Sequence, residues 1–168
     1  SPPQPCQKSS SSNILPSHSS PMQPLGDEPG IYTLIIFLPK AAQIKVGSLG
    51  QIDFAQGYYS YTGSARGPGG LRRVNRHIRV LEGAKKTRRW HIDYLLPHCK
   101  FQEAFITRTL WDLECKIARA IGERLTPVPR FGCSDCRCTG HLHHSEYAEE
   151  MRETVALAHA IAGLSLID

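Results

Sequence analysis

No stretch of this chain stays apolar long enough to cross a bilayer: the longest run, residues 31–39, falls well short of the roughly 20 residues that a spanning helix needs. A membrane role is therefore not expected. The chain opens on Ser1 rather than Met and lacks the basic-then-apolar pattern of a signal peptide, so it reads as part of a longer product. Without a secretory signal, its six cysteines argue against a disulfide framework and for thiols in a reducing compartment, which points to the cytoplasm. Residues 1–29 are nearly free of aromatic and β-branched side chains and rich in Ser and Pro. They cannot bury enough surface to offset their ordering entropy, and they read as a disordered tail or linker. No internal repeat is present. Acidic residues are also scarce where basic ones gather: from Arg66 to His91 there are nine Lys or Arg against the single Glu82. That segment carries +8 of a chain whose net charge is only +5. A basic patch on a near-neutral body suits a polyanion, because phosphate contacts release counterions; the competing reading is a solvated charged helix.

What is present fits one α/β domain, in the α+β sense: a small mixed or antiparallel central sheet flanked by helices, over residues 30–145. Residues 31–38 form a continuous apolar, β-branched run stopped by Pro39 and predict a buried central strand. Residues 42–46 and 51–61, joined through Gly47 and Gly50, predict two strands of a hairpin. Leu71, Val74, Ile78 and Leu81 recur at helical spacing after a glycine-rich loop. Residues 90–96 are ambiguous between helix and strand, and 101–107 predict a strand. Leu110, Leu113, Ile117, Ile121 and Leu125 mark a second amphipathic helix over 109–125, ended by Pro127. A Cys/His loop follows at 133–144, and residues 146–168 supply a C-terminal helix that packs on the domain.

Arg73 and His77 lie four apart on the first helix and so share a face, beside the apolar stripe. From there both side chains can reach a cleft next to the sheet. A guanidinium in that position can clamp a phosphate oxygen and neutralise developing charge, and an imidazole can position or protonate a neighbouring oxygen. Arg72, Arg76 and Arg79 fall on other faces or farther along. With Arg66, Lys85, Lys86, Arg88 and Arg89 they read as grip on a nucleic-acid backbone, against plain solvation. Glu114 sits at the rim of the second helix's apolar face. A rim carboxylate is ordinarily a surface charge, but as a site residue it suits one Mg²⁺ or Mn²⁺ ion, which binds through one or two carboxylates plus substrate phosphate.

Gly30-Ile31-Tyr32, Tyr61-Thr62-Gly63, Leu71-Arg72-Arg73-Val74 with His77, and Leu113-Glu114 occur in that order. Together these segments resemble the GIY-YIG nuclease domain. Residues 59–65, 76–79, 90–96 and 134–138 are similar to its Uri-type subgroup, and the resemblance covers about residues 30–142. It implies that Tyr32 and Tyr61 line the active site, that Arg73 contacts the scissile phosphate, that Glu114 binds a single divalent metal, and that His77 matches a position occupied by His in part of the family. The implied function is a metal-dependent endonuclease hydrolysing DNA phosphodiester bonds in repair or processing, with DNA preferred to RNA as partner and with fusion to, or association with, a repair enzyme. The alternative is a non-catalytic nucleic-acid-binding or zinc-stabilised interaction module of the same fold. One departure stands out: Tyr32 and Tyr61 are 29 positions apart where the family's usual spacing is near ten. A hairpin inserted at residues 44–54 would still leave the two tyrosine strands neighbours.

Cys133, Cys136, Cys138, His141, His143 and His144 fall within twelve residues, enough donors for tetrahedral Zn²⁺, with the first four the candidate ligands. Reduced thiols packed beside the sheet, with exposed histidines, are the alternative. His91 and Asp93 are read as supporting residues, DNA contacts or satisfied core groups.

Overall fold

The protein is described by a computed structural model, over residues 25–132 and 140–165. Five strands form an antiparallel sheet: β1 (Gly30–Leu38), β4 (Gly57–Ser64), β5 (Lys100–Arg108), β6 (Thr126–Pro127) and β7 (Leu142–Ser145), ordered β5-β1-β4-β7-β6. Between β1 and β4, the strands β2 (Ala42–Lys45) and β3 (Gln51–Phe54) pair with each other as a separate hairpin. The helices are α1 (Arg72–Leu81), α2 (His91–Leu95), α3 (Glu114–Gly122) and α4 (Ala148–Ser165).

The alternation of β1 separates two cores. Tyr32, Leu34, Ile36 and Leu38 point to one face and pack with Leu71, Val74 and Val80 near α1 and with Ile92 and Leu95 of α2. Ile31 and Ile35 point to the other and pack with Ile117 and Ile121 of α3 and Met151, Val155 and Ala158 of α4. Burial on both faces explains why β1 is a nearly unbroken apolar run although its neighbours are antiparallel. On the α4 face, His159 bridges polar groups inside the core. Its Nε2 lies 2.8 Å from Thr33 Oγ1, its Nδ1 lies 2.8 Å from Thr107 Oγ1, and Thr33 in turn lies 2.9 Å from Thr62 Oγ1.

The inserted hairpin is present, and β1 and β4 are neighbours across it, with Tyr32 opposite Gly63 and Leu34 opposite Tyr61. Four boundaries need correction. Residues 51–61 belong to two strands, broken at Ala55 and Gln56 just before Gly57, which takes φ 140° as β4 begins. The helix expected over 109–125 begins only at Glu114, because the Trp111 N–H donates to Thr109 Oγ1 at 2.9 Å and holds the preceding residues in a turn; Leu110 is left exposed. The end of the expected Cys/His loop is strand β7, and Thr126–Pro127 extends the sheet rather than merely ending a helix. The end of the expected tail is tied to the domain, since the Asn75 side-chain amide both accepts from the Leu25 N–H at 3.1 Å and donates to the Leu25 carbonyl at 2.9 Å. Cys115 is disulfide-bonded, against the expectation of reduced thiols, and Cys99 is a free, buried thiol. Among the described residues no helix is long and apolar enough to cross a membrane.

Candidate active site

Tyr32 sits near the start of β1 on the α1 face and is 1 % exposed. Its ring packs against Tyr61 from β4 at 6.5 Å between centroids and against His77 from α1 at 5.4 Å; Tyr61 and His77 are 5.9 Å apart. Close approach is possible because Gly63 stands opposite Tyr32, where any Cβ would collide with the Tyr32 hydroxyl and ring. The glycine of the Tyr61-Thr62-Gly63 segment thus makes room for the tyrosine of the other.

The Tyr32 hydroxyl lies 2.8 Å from His77 Nε2, and the bond runs O–H to nitrogen or N–H to oxygen according to the tautomer. Burial pushes the Tyr32 phenol well above its ordinary value; Tyr61 and Glu114 push the same way, and Arg73 and Arg76 oppose them. Burial, aided by Arg76, pushes His77 down to about 3, so the imidazole is neutral at physiological pH. Its Nδ1 is buried and has no hydrogen-bond partner among the described residues. The pair is therefore a neutral hydrogen-bonded unit.

Arg73 is half-buried at the open side of this cluster and is held in two ways. Its Nη1 donates to the Ser64 carbonyl at the end of β4, and its guanidinium lies 4.9 Å from the centre of the Trp90 ring. Trp90 also receives Arg76 at 4.2 Å and Arg89 at 5.2 Å, and packs on His77 at 5.6 Å. The expected backbone-binding role of Arg76 meets a structural engagement: both its terminal nitrogens donate to the fully buried Asp93, at 3.0 and 2.8 Å. Asp93 also accepts from the Arg89 and Trp90 amides, fixing the start of α2. Burial works to raise the Asp93 carboxyl, but the Arg76 guanidinium and those amides hold it below the usual carboxylate range. His91 Nδ1 accepts from the Gly132 amide at 3.0 Å, a supporting contact. Arg66, Arg72, Arg79, Lys86, Arg88 and Arg89 are exposed and Lys85 is half-buried.

Glu114 opens α3, where the helix dipole favours its charge, and its side chain is 24 % exposed. The ladder between β4 and β7 ends at Tyr61 opposite Leu142. The next residue toward that open end, His141, sends its carbonyl to the Thr62 amide at 3.0 Å and its Nδ1 to within 3.2 Å of Glu114 Oε2. Tyr32, Tyr61, Arg73, His77 and Glu114 thus gather at one end of the sheet, from β1, β4, α1 and α3. A single, partly exposed carboxylate suits Mg²⁺ or Mn²⁺, which keep several waters and share ligands with substrate phosphate. Among the described residues no three His, Cys, Asp or Glu side chains form a metal-holding group. Of the candidate zinc ligands, Cys133, Cys136 and Cys138 lie outside the described residues, and His141 lies against Glu114.

Sequence reasoning missed two relationships in this neighbourhood. The contact of His141 with Glu114 depends on strand register across 27 positions, which no local pattern announces. The plate that Trp90 offers to three arginines was open to recognition, as an aromatic bordering an arginine-rich segment.

No curated protein and no solved structure matches the chain. A family model does match, over residues 31–164, from the first central strand into the last helix. On that match, which takes in the whole candidate site, the chain belongs to the family described as Domain of unknown function DUF123.

Proposed function

We propose that the protein is a metal-dependent endonuclease that hydrolyses phosphodiester bonds in DNA. The observation that carries this reading is the convergence of two tyrosines, a braced arginine and a helix-start glutamate on one sheet end, beside a segment of charge +8. The ordered resemblance to the GIY-YIG nuclease domain supports the same assignment.

In this account Arg73 binds a non-bridging oxygen of the scissile phosphate. Its guanidinium is already oriented by Trp90 and the Ser64 carbonyl, so little ordering is needed when charge develops in the transition state. Tyr32 acts as a neutral hydrogen-bonding group rather than a phenolate, because burial opposes its ionisation. With His77 behind it, the hydroxyl is aimed and orients the attacking water, and Tyr61, the more exposed of the two rings, contacts the substrate side. Glu114 would hold one Mg²⁺ or Mn²⁺ ion, which supplies neutralisation of phosphate charge and acidifies the attacking water. His141 holds the Glu114 carboxylate toward the cluster. Exposed Arg72, Arg79, Lys86, Arg88 and Arg89 grip neighbouring phosphates.

The test is cleavage of a panel of single-stranded, nicked, flapped and branched DNAs with and without Mg²⁺ or Mn²⁺. Cutting that a chelator abolishes is expected. Binding without any cutting across the panel would replace this reading with that of a nucleic-acid-binding module.

A further inference from the structure

Residues 109–113, which join β5 to α3, carry two large apolar side chains into solvent: Leu110 is 73 % exposed and Trp111 65 %. Burying such side chains would each contribute about 1.5–3 kcal/mol, so exposing two in succession forgoes substantial stabilisation.

The segment is braced rather than loose. The Thr109 amide donates to the Pro29 carbonyl at 3.2 Å, the Trp111 amide to Thr109 Oγ1 at 2.9 Å, and the Leu113 amide to the Trp111 carbonyl at 3.1 Å. From the loop that follows β4, Arg66 donates to the Leu110 carbonyl at 3.3 Å and lies 3.5 Å from Asp112. These contacts fix the knuckle between the end of the Tyr61 strand and the start of the Glu114 helix. Trp111 precedes Glu114 by three residues, so their Cα atoms are separated by at most about 11 Å. An exposed indole on a braced backbone that close to a phosphate-cleaving centre, with the Arg66 side chain held against the neighbouring Leu110 carbonyl and Asp112, matches the pairing of aromatic plate and cation that receives an unpaired base and its phosphate.

We infer that Leu110 and Trp111 form a stacking platform for an unpaired nucleobase next to the scissile phosphate. The substrate class is then single-stranded, flapped or branched nucleic acid rather than uniform duplex. The inference rests on the nuclease reading of the adjacent site, and its test is independent of cleavage.

The full chain, Trp111→Ala and Trp111→Phe are compared in chelator by fluorescence anisotropy against a labelled single strand, a flapped duplex and a blunt duplex. Trp111→Ala is expected to weaken single-strand and flap binding about tenfold or more while leaving duplex binding within about twofold. Trp111→Phe should restore most of the loss, and because the side chain is exposed neither substitution should move the melting temperature. Equal binding of all three DNAs by wild type and Trp111→Ala overturns the platform, as does a uniform loss that includes duplex. Wild-type protein that binds none of the three overturns both the platform and the nuclease reading. Selective loss on the single strand and flap, together with absent cleavage in metal, upholds the platform and sinks the nuclease alone.

Discussion

The Tyr32 hydroxyl and His77 Nε2 meet at 2.8 Å, tying the central strand to the inner face of α1 across 45 positions. Both groups are buried and neutral, so each satisfies the other's main polar atom. Tyr32→Phe leaves His77 Nε2 unsatisfied and should destabilise the fold by about 1–3 kcal/mol in urea unfolding, as well as slowing cleavage at least 100-fold. Tyr61→Phe should slow cleavage with a smaller effect on unfolding, since its ring is nearer solvent. Equal unfolding midpoints for wild type and Tyr32→Phe would show that the pair has no structural weight.

Gly63→Ala should reproduce much of the Tyr32 defect without touching that residue, because the added methyl must displace the Tyr32 ring. A loss of about 1–3 kcal/mol is expected, with cleavage impaired. Gly163→Ala is the matched control: it lies in α4 with open space where its Cβ would go, and should be neutral or stabilising by up to about 1 kcal/mol. Similar behaviour of the two variants would contradict the close approach of Gly63 and Tyr32.

Much of this arrangement was legible in the sequence. The apolar run of β1 and the stripe of α1 announced themselves, and the hairpin at 42–54 explained how two tyrosines 29 positions apart become strand neighbours. Strand β7 was hidden because Leu142-His143-His144-Ser145 has no β-branched residue; its pairing with β4 comes from tertiary register. The start of α3 was misjudged because Leu110 has the right spacing for the apolar stripe while its backbone is held in a turn. Arg76 looked interchangeable with its basic neighbours, since nothing local reveals that Asp93 will be buried against it.

That difference among arginines is measurable. Arg72→Ala or Arg79→Ala should weaken DNA binding and reduce the salt slope by about one each, with little change in stability. Arg76→Ala removes the guanidinium from a fully buried carboxylate and should destabilise by about 3–5 kcal/mol. An Arg76→Ala protein with wild-type stability and a reduced salt slope would put Arg76 back among the DNA contacts.

Stability should fall on mild acidification. Burial holds His159 at about 4, against about 6.5 in the unfolded chain. Between those values the unfolded chain binds a proton that the folded chain does not. The contribution is therefore fully present above about pH 6.5 and declines as pH falls toward 4, by up to about 1.4 kcal/mol per pH unit. His77, held at about 3, acts in the same direction. Urea midpoints at pH 7.5 and pH 5 should differ accordingly, and His159→Gln should show a shallower pH dependence from a lower starting stability. An unchanged slope in His159→Gln would remove that residue from the account.

The central claim is tested most directly by single-turnover cleavage of a flapped DNA in Mg²⁺, with binding measured in parallel, for wild type, Arg73→Ala and Glu114→Ala. The account predicts metal-dependent cutting by wild type and a loss of about 100-fold or more in each variant, with DNA affinity within about fivefold of wild type. Wild-type protein that binds the DNA and never cuts it, or variants that cut as fast as wild type, would contradict it.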